Sequence, residues 1–234
     1  LDMPGFVNLQ VIACNKDGNA LSGVNYFKGG AGVEIEKLQK AKAEPDDFDA
    51  FWHSQLAKLE GVTPELMEIR EVTSPDAVFT VYAVKIRFTE QNTWGNYVSA
   101  YLSVPKDAEA GSLVLNVNYQ GAGASDVNKR CTKGQAMLTV SAHSMELGRD
   151  SSYYGGLMNS TLRDYPHAHN ATRDTVYFRE MVLRDIQAVR FMKQYFGENG
   201  ADERFRGLWN SKQQLILSGG SQGGFQAVAV AALE

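Results

Sequence analysis

Gly219-Gly220-Ser221-Gln222-Gly223-Gly224 is the stretch of this sequence best suited to chemistry, because it sets one serine between glycines at both second-neighbour positions. Between a strand and a helix, Gly-x-Ser-x-Gly forms a nucleophile elbow. The serine occupies a tight, strained turn, and side chains two positions to either side would collide with the strand or the helix. Ser221 is then placed to attack a carbonyl carbon, while the backbone N–H of Gln222 and the helix N-terminus point to where an oxyanion develops. The flanks supply the context that a bare glycine-rich turn lacks. Gln214-Leu215-Ile216-Leu217-Ser218 reads as a short buried strand, and Phe225 to Leu233 as a helix rich in alanine and valine.

A second oxyanion donor is expected from the loop after an earlier strand. Asn118-Tyr119-Gln120-Gly121-Ala122-Gly123 follows the apolar run Leu113 to Val117, and its glycines let backbone approach a ligand closely; Tyr119 is the candidate N–H donor. His53, His143, His167 and His169 all precede the serine, whereas the hydrolase order is serine, then acid, then histidine, so none is assigned as the base. His143 ends a strand near the expected site and is kept as a candidate substrate contact. His167-Ala168-His169 reads as a solvated loop, since no cysteine or carboxylate cluster at ligand spacing accompanies it, and no metal or cofactor is implied.

The elements that must position these residues can be read from apolar periodicity. Phe6 to Ala13 and Leu21 to Phe27 form an expected hairpin joined by Asn15-Lys16-Asp17-Gly18-Asn19, followed by a glycine-rich joint (Gly29, Gly30, Gly32) and a charged linker to Glu44. A helix is expected from Pro45, with Asp46, Asp47 and Asp49 in its first turn and an apolar stripe of Phe48, Phe51, Trp52, Leu56 and Leu59 that should dock on a sheet. Leu66 to Thr73, Val78 to Thr89 and Tyr97 to Val104 alternate as an antiparallel meander, with Ser74-Pro75-Asp76 and Glu90-Gln91-Asn92 as turns. Leu113 to Asn118 and Ala136 to Val140 read as buried parallel strands. Thr175 to Phe196, with apolar residues at spacings of three and four and charges between them, reads as an amphipathic crossover helix stopped by Gly197. The fold expected is α/β, of α/β-hydrolase type: a mixed, mostly parallel sheet flanked by helices, of which this is the N-terminal portion. Residues 1–40 form a short β-rich segment, and 41–234 the part of the hydrolase domain that includes the elbow.

At 234 residues the chain can bury a sizeable core. Its 23 Lys and Arg nearly balance 27 Asp and Glu, and no basic stripe is interleaved with aromatics, which excludes nucleic acid as the expected partner. No apolar stretch approaches the roughly 20 residues that span a bilayer, so no membrane partner is expected. Cys14 and Cys131 lie far apart and read as two lone buried thiols, with one disulfide as the open alternative. The start Leu1-Asp2-Met3-Pro4 fits either a removed signal peptide or a segment of a longer protein; it points to a secreted or periplasmic location without excluding the cytoplasm, and an oligomer stays open.

Three motifs together resemble the acetyl xylan esterase and cephalosporin C deacetylase family of carbohydrate esterases, over about Pro45 to the C-terminus. They are Pro45-Asp46-Asp47-Phe48-Asp49-Ala50-Phe51-Trp52, Val117-Asn118-Tyr119-Gln120-Gly121, and the elbow with its glutamine after the serine. The resemblance implies that Ser221 is the nucleophile, that the backbone N–H groups of Tyr119 and Gln222 form the oxyanion hole, and that the substrate is a small acetylated saccharide. Trp94 and Trp209 could stack on a sugar, though aromatics more often serve packing. Two departures stand out. Where the family carries Arg-Gly-Gln after a strand, this sequence reads Val140-Ser141-Ala142-His143-Ser144, and Lys133-Gly134-Gln135 precedes that strand instead. The acid and histidine of the family lie well downstream of the serine, whereas 13 residues follow Ser221; the expected whole is a longer polypeptide whose remainder carries both. Two rival readings are a serine peptidase of the prolyl oligopeptidase type, which Pro45 to Trp52 speaks against, and a catalytically silent carbohydrate-binding protein with the same fold.

Overall fold

A computed structural model describes residues 3–89 and 94–234. The expected turn at Glu90-Gln91-Asn92 lies outside the described residues. The chain divides into two compact units, one ending at Phe48 and one beginning at Asp49. In the first, β1 (Gly5–Val11) pairs antiparallel with β2 (Phe27–Val33), from Gly5 opposite Val33 to Val11 opposite Phe27. The Asn15–Asn19 turn forms, with Asn15 N–H donating to Asn19 O at 2.8 Å, but only the single bridge of Cys14 to Ala20 follows it. The second strand is therefore not Leu21 to Phe27: Gly23, at φ 75°, turns the chain away, and pairing resumes through the glycines expected to be a joint. Gly32 needs its missing side chain there, because a Cβ would lie 2.5 Å from Ile35 Cγ2. Both cysteines are free, but Cys14 is exposed and Cys131 half-buried, so neither is the buried thiol expected.

The second unit is built on a six-stranded sheet. Helix α1 (Phe48–Glu60) starts three residues later than expected, because Asp46 and Asp47 form a lead-in turn closed by Phe48 N–H on Pro45 O, leaving Asp49 as the acid of the first turn. Its Leu59, with Trp52 and Leu56, enters the main core as expected. Then come β3 (Leu66–Val72), β4 (Phe79–Arg87), β5 (Tyr97–Pro105), β6 (Val114–Tyr119), β7 (Gln135–Val140), α2 (Ser151–Met158), α3 (Tyr177–Phe196), β8 (Leu215–Gly219) and α4 (Gln222–Leu233). The strand order is β3-β4-β5-β7-β6-β8. The meander β3 to β5 and its junction with β7 are antiparallel, while β7-β6 and β6-β8 are parallel. The sheet is mixed, as expected of an α/β-hydrolase. From β6 the chain passes to β7 on one side and later to β8 on the other. A crevice for a ligand forms outside the carboxyl ends of strands at such a reversal of order.

On one face of β6, Leu115, Val117 and Tyr119 join the main core with α3 and α4. On the other, Asn116 and Asn118 are held by a hydrogen-bonded row: Asn118 Nδ2 to Ser218 Oγ at 2.9 Å, Ser218 Oγ to Asn116 Oδ1 at 3.2 Å, and Asn116 Nδ2 to Gln135 Oε1 at 2.9 Å. β8 is half-buried rather than buried, because it is the last strand in the sheet order and β6 is its one described neighbour.

Helix α3 covers the expected span and ends at Gly197, but its charges do not all face solvent: Glu180, Arg184, Asp185 and Gln187 are buried. Some of these polar atoms are compensated by hydrogen bonds. Gln187 donates to Val62 O at 2.9 Å and Arg87 O at 3.2 Å, and Arg184 donates to Ala142 O at 3.0 Å. Burial drives the Asp185 carboxyl well above the usual range despite the neighbouring Arg184 charge. No helix among the described residues is long and apolar enough to cross a membrane. Because Ile186 is fully buried in the main core, Ile186→Ala should lower stability by about 3 kcal/mol through lost burial and a residual cavity, seen as a lower denaturation midpoint in urea with an unchanged slope.

Candidate active site

The elbow takes the form its spacing requires. Ser221 stands between β8 and α4 with φ 54° and ψ −124°, a backbone conformation that a non-glycine residue adopts only when its surroundings enforce it. The enforcing contacts are backbone on backbone. A Cβ on Gly219 would lie 2.4 Å from Gly223 C and O, and a Cβ on Gly223 would lie 2.2 Å from Tyr119 O. Helix α4 therefore begins directly after the serine, at Gln222, rather than at the expected Phe225. As the first residue of α4, Gln222 has one of the N–H groups that a helix leaves without an internal partner.

Tyr119 is the last residue of β6, opposite Val140 on β7 and Gly219 on β8. Alternate N–H groups along β6 point to opposite neighbours. Gln120 N–H donates to Val140 O at 2.9 Å, and Leu115 N–H donates at 3.1 Å to Gln214 O, just before β8. The Tyr119 N–H thus faces β8, where the last rung of the β6-β8 ladder takes it up, so it is not available as the expected oxyanion donor. Its phenol points elsewhere, buried and donating to Asp185 O at 3.2 Å. The loop after Tyr119 is tied to α4 by Gln226 Nε2, which donates to Gln120 O at 2.9 Å. A polar cavity of about 360 Å³ opens between loop and elbow, bordered by Asn118, Gln120, Asp126, Arg130, Thr139 and Gly220.

His143 follows β7 and is 2 % exposed. Its Nδ1 meets the Tyr177 hydroxyl, which donates to Ala142 O at 2.7 Å, and its ring stands edge-on to Tyr165 at 4.7 Å between centroids. Burial, reinforced by the Arg184 charge and slightly offset by a Gly123 backbone contact, holds the imidazole down to about 3. A base so weak is poorly matched to catalysis near neutral pH. His167 is exposed and faces Asp164 at 3.0 Å, while His169 stands edge-on to Trp94 at 5.5 Å. Trp94 also packs on Tyr177 at 5.0 Å, and Trp209 lies against the main core, so both tryptophans serve packing.

Sequence reasoning passed over Tyr165 and Arg184. Tyr165 lies in a run of turns without apolar period, and Arg184 was read as one of the helix's solvent-facing charges. The signal for Tyr165 is weak: a tyrosine in a polar loop predicts nothing until the fold brings it to Gln222, 57 positions away.

Compared with known proteins, the chain matches the acetyl xylan esterase family over residues 32–234. It is similar to the acetyl xylan esterase from Paenibacillus sp. R4, with 19% identity and a TM-score of 0.58 over 84% of this chain and 58% of that one. It is also similar to acetyl xylan esterase 1 from Thermoanaerobacterium sp. JW/SL YS485, with 20% identity and a TM-score of 0.58 over 81% of this chain and 55% of that one. The chain thus covers less than two thirds of the length of either structure. No curated protein matches it. At these identities the two structures speak to the fold, which is that of an α/β-hydrolase.

The buried imidazole makes a pH signature. The folded value near 3 is below the ordinary value of about 6.5 of an unfolded chain, so the unfolded state takes up the proton first. The stability associated with neutral His143 is complete above about pH 6.5 and is lost as pH falls toward 3. Between these limits wild-type stability should fall more steeply than that of His143→Gln, by up to about 1.4 kcal/mol per pH unit; parallel profiles in chemical denaturation would show that His143 is not held neutral.

Proposed function

The chain belongs to the acetyl xylan esterase family, and from that premise we propose that it supplies the nucleophile and oxyanion hole of a serine esterase that deacetylates acetylated xylan or a related saccharide. The observation that carries the reading is the strained Ser221 backbone, φ 54° and ψ −124°, at a strand-to-helix junction whose flanking glycines admit no side chain. A fold does not maintain such strain without a return, and here it lifts one hydroxyl out at the carboxyl end of the sheet.

Ser221 Oγ attacks the ester carbonyl carbon and its proton passes to a neighbouring base. The carbonyl oxygen becomes an oxyanion held by the N–H of Gln222 and by a backbone N–H of the loop that follows Tyr119, whose own N–H is taken by the β6-β8 ladder. Collapse of the tetrahedral intermediate breaks the bond to the sugar oxygen, which takes a proton as it leaves, and water then releases acetate from the acyl-serine. The cavity beside the elbow, bordered by amide, carboxylate, guanidinium and hydroxyl groups, supports a hydroxyl-rich ligand. The small acyl group rests on the family.

In the complete protein, Ser221→Ala should lower kcat on p-nitrophenyl acetate by about 10⁶, the usual consequence of losing such a nucleophile, with the fold intact. A variant that keeps a tenth of the activity excludes the assignment. Faster turnover of a prolyl-amide substrate than of the acetate would favour a peptidase, and failure to react with a fluorophosphonate would favour a silent binding protein. Tyr119→Phe keeps the backbone of the oxyanion loop and removes the phenol bond to Asp185 O. It should lower stability by about 1 kcal/mol while kcat falls far less than the roughly 10² to 10³ of a lost oxyanion donor, which steady-state kinetics and urea unfolding together measure.

A further inference from the structure

The two oxyanion donors of that reading come from separate elements, the loop after β6 and the start of α4, so something must fix the distance between them. We propose that Tyr165 is the positioning residue that does so, an inference that rests on the esterase reading above. Its hydroxyl donates to Gln222 Oε1 at 2.8 Å and accepts from Gly123 N–H at 3.2 Å. One oxygen atom therefore joins the side chain of the residue after the nucleophile to the backbone of the oxyanion loop. Gln222 is held from its other end as well, with Nε2 3.5 Å from Met181 Sδ on α3.

The phenol can act as a fixed strut because its ring cannot turn aside. Tyr165 is 2 % exposed, with Tyr177 at 4.6 Å and His143 at 4.7 Å between ring centroids. Arg184 in turn clamps Tyr177, donating to its hydroxyl at 3.1 Å and to Ala142 O at 3.0 Å. The cluster grows out of Ser141-Ala142-His143, where the sequence departs from the Arg-Gly-Gln of the family it resembles. The altered strand end is thus the wall against which the strut is braced. Oxyanion stabilisation depends on donors aimed in advance at the developing charge, and displacements of about 1 Å can cost as much as 10²-fold in rate.

The test is a mutant cycle in the protein, with p-nitrophenyl acetate as substrate. Tyr165→Phe keeps the ring and removes the oxygen; it should lower kcat about 10-fold with KM changed less than twofold, because ground-state contacts are untouched. Gln222→Met breaks the same contact from the other side and serves if Tyr165→Phe does not fold. The double variant should be no slower than the worse single one, since both remove one link. The rate of fluorophosphonate labelling, which also builds charge on an oxygen in the hole, should drop in parallel with kcat. Full kcat in Tyr165→Phe, or losses that multiply in the double variant, overturns the strut while leaving the esterase reading in place. Activity that survives Ser221→Ala overturns both.

Discussion

The first turn of α4 approaches the end of β6 so closely that the Tyr119 carbonyl occupies the space where residue 223 would carry its Cβ. That contact fixes the rest of the site. It brings the helix N-terminus to the loop after β6, makes the chain reverse within the two residues between β8 and α4, and leaves Ser221 as the residue that absorbs the strain. Gly219, facing Gly223 across the turn, is required for the same reason. The parallel pairing of β8 with β6 sets the stage, because it delivers Gly219 opposite Tyr119 at the carboxyl edge of the sheet.

Around this point the protein buries polar groups on a scale that needs compensation, since an unpartnered polar atom in the interior costs more than a made hydrogen bond returns. Asn116, Asn118, Gln135 and Ser218 pair with one another along one face of the sheet. Arg184 enters from α3 to bond Ala142 O and Tyr177, and burial pushes the Asp185 carboxyl up. The same packing that keeps His143 uncharged makes it a rigid aromatic wall and removes it from proton transfer.

Several elements were legible because their signal is local. The meander shows its period of two residue by residue, and α3 ends at Gly197 as its pattern demands. Others misled for reasons that can be named. Gly223 and Gly224 are poor helix formers, so the helix seemed to wait for Phe225, yet a glycine is the residue that the Tyr119 carbonyl admits at 223. Gly29, Gly30 and Gly32 suggested a joint, whereas opposite β1 they form a strand. In α3 a buried Glu180 and Arg184 look in sequence like any solvated charge, because nothing in their spacing records what will pack above them.

The sequence by itself determined the elbow, the glycines that shape its turn, and the family, since each is written in a short run whose residues constrain their immediate neighbours. Tertiary structure alone decided which groups meet that turn. Asn118 and Ser218 are 100 positions apart and share a hydrogen bond, and Tyr165 reaches Gln222 from a loop with no pattern of its own. Such contacts depend on the strand order that sets β6 between β7 and β8. That order follows from burying all the strands in one sheet at once, a condition on the whole chain that no local stretch encodes.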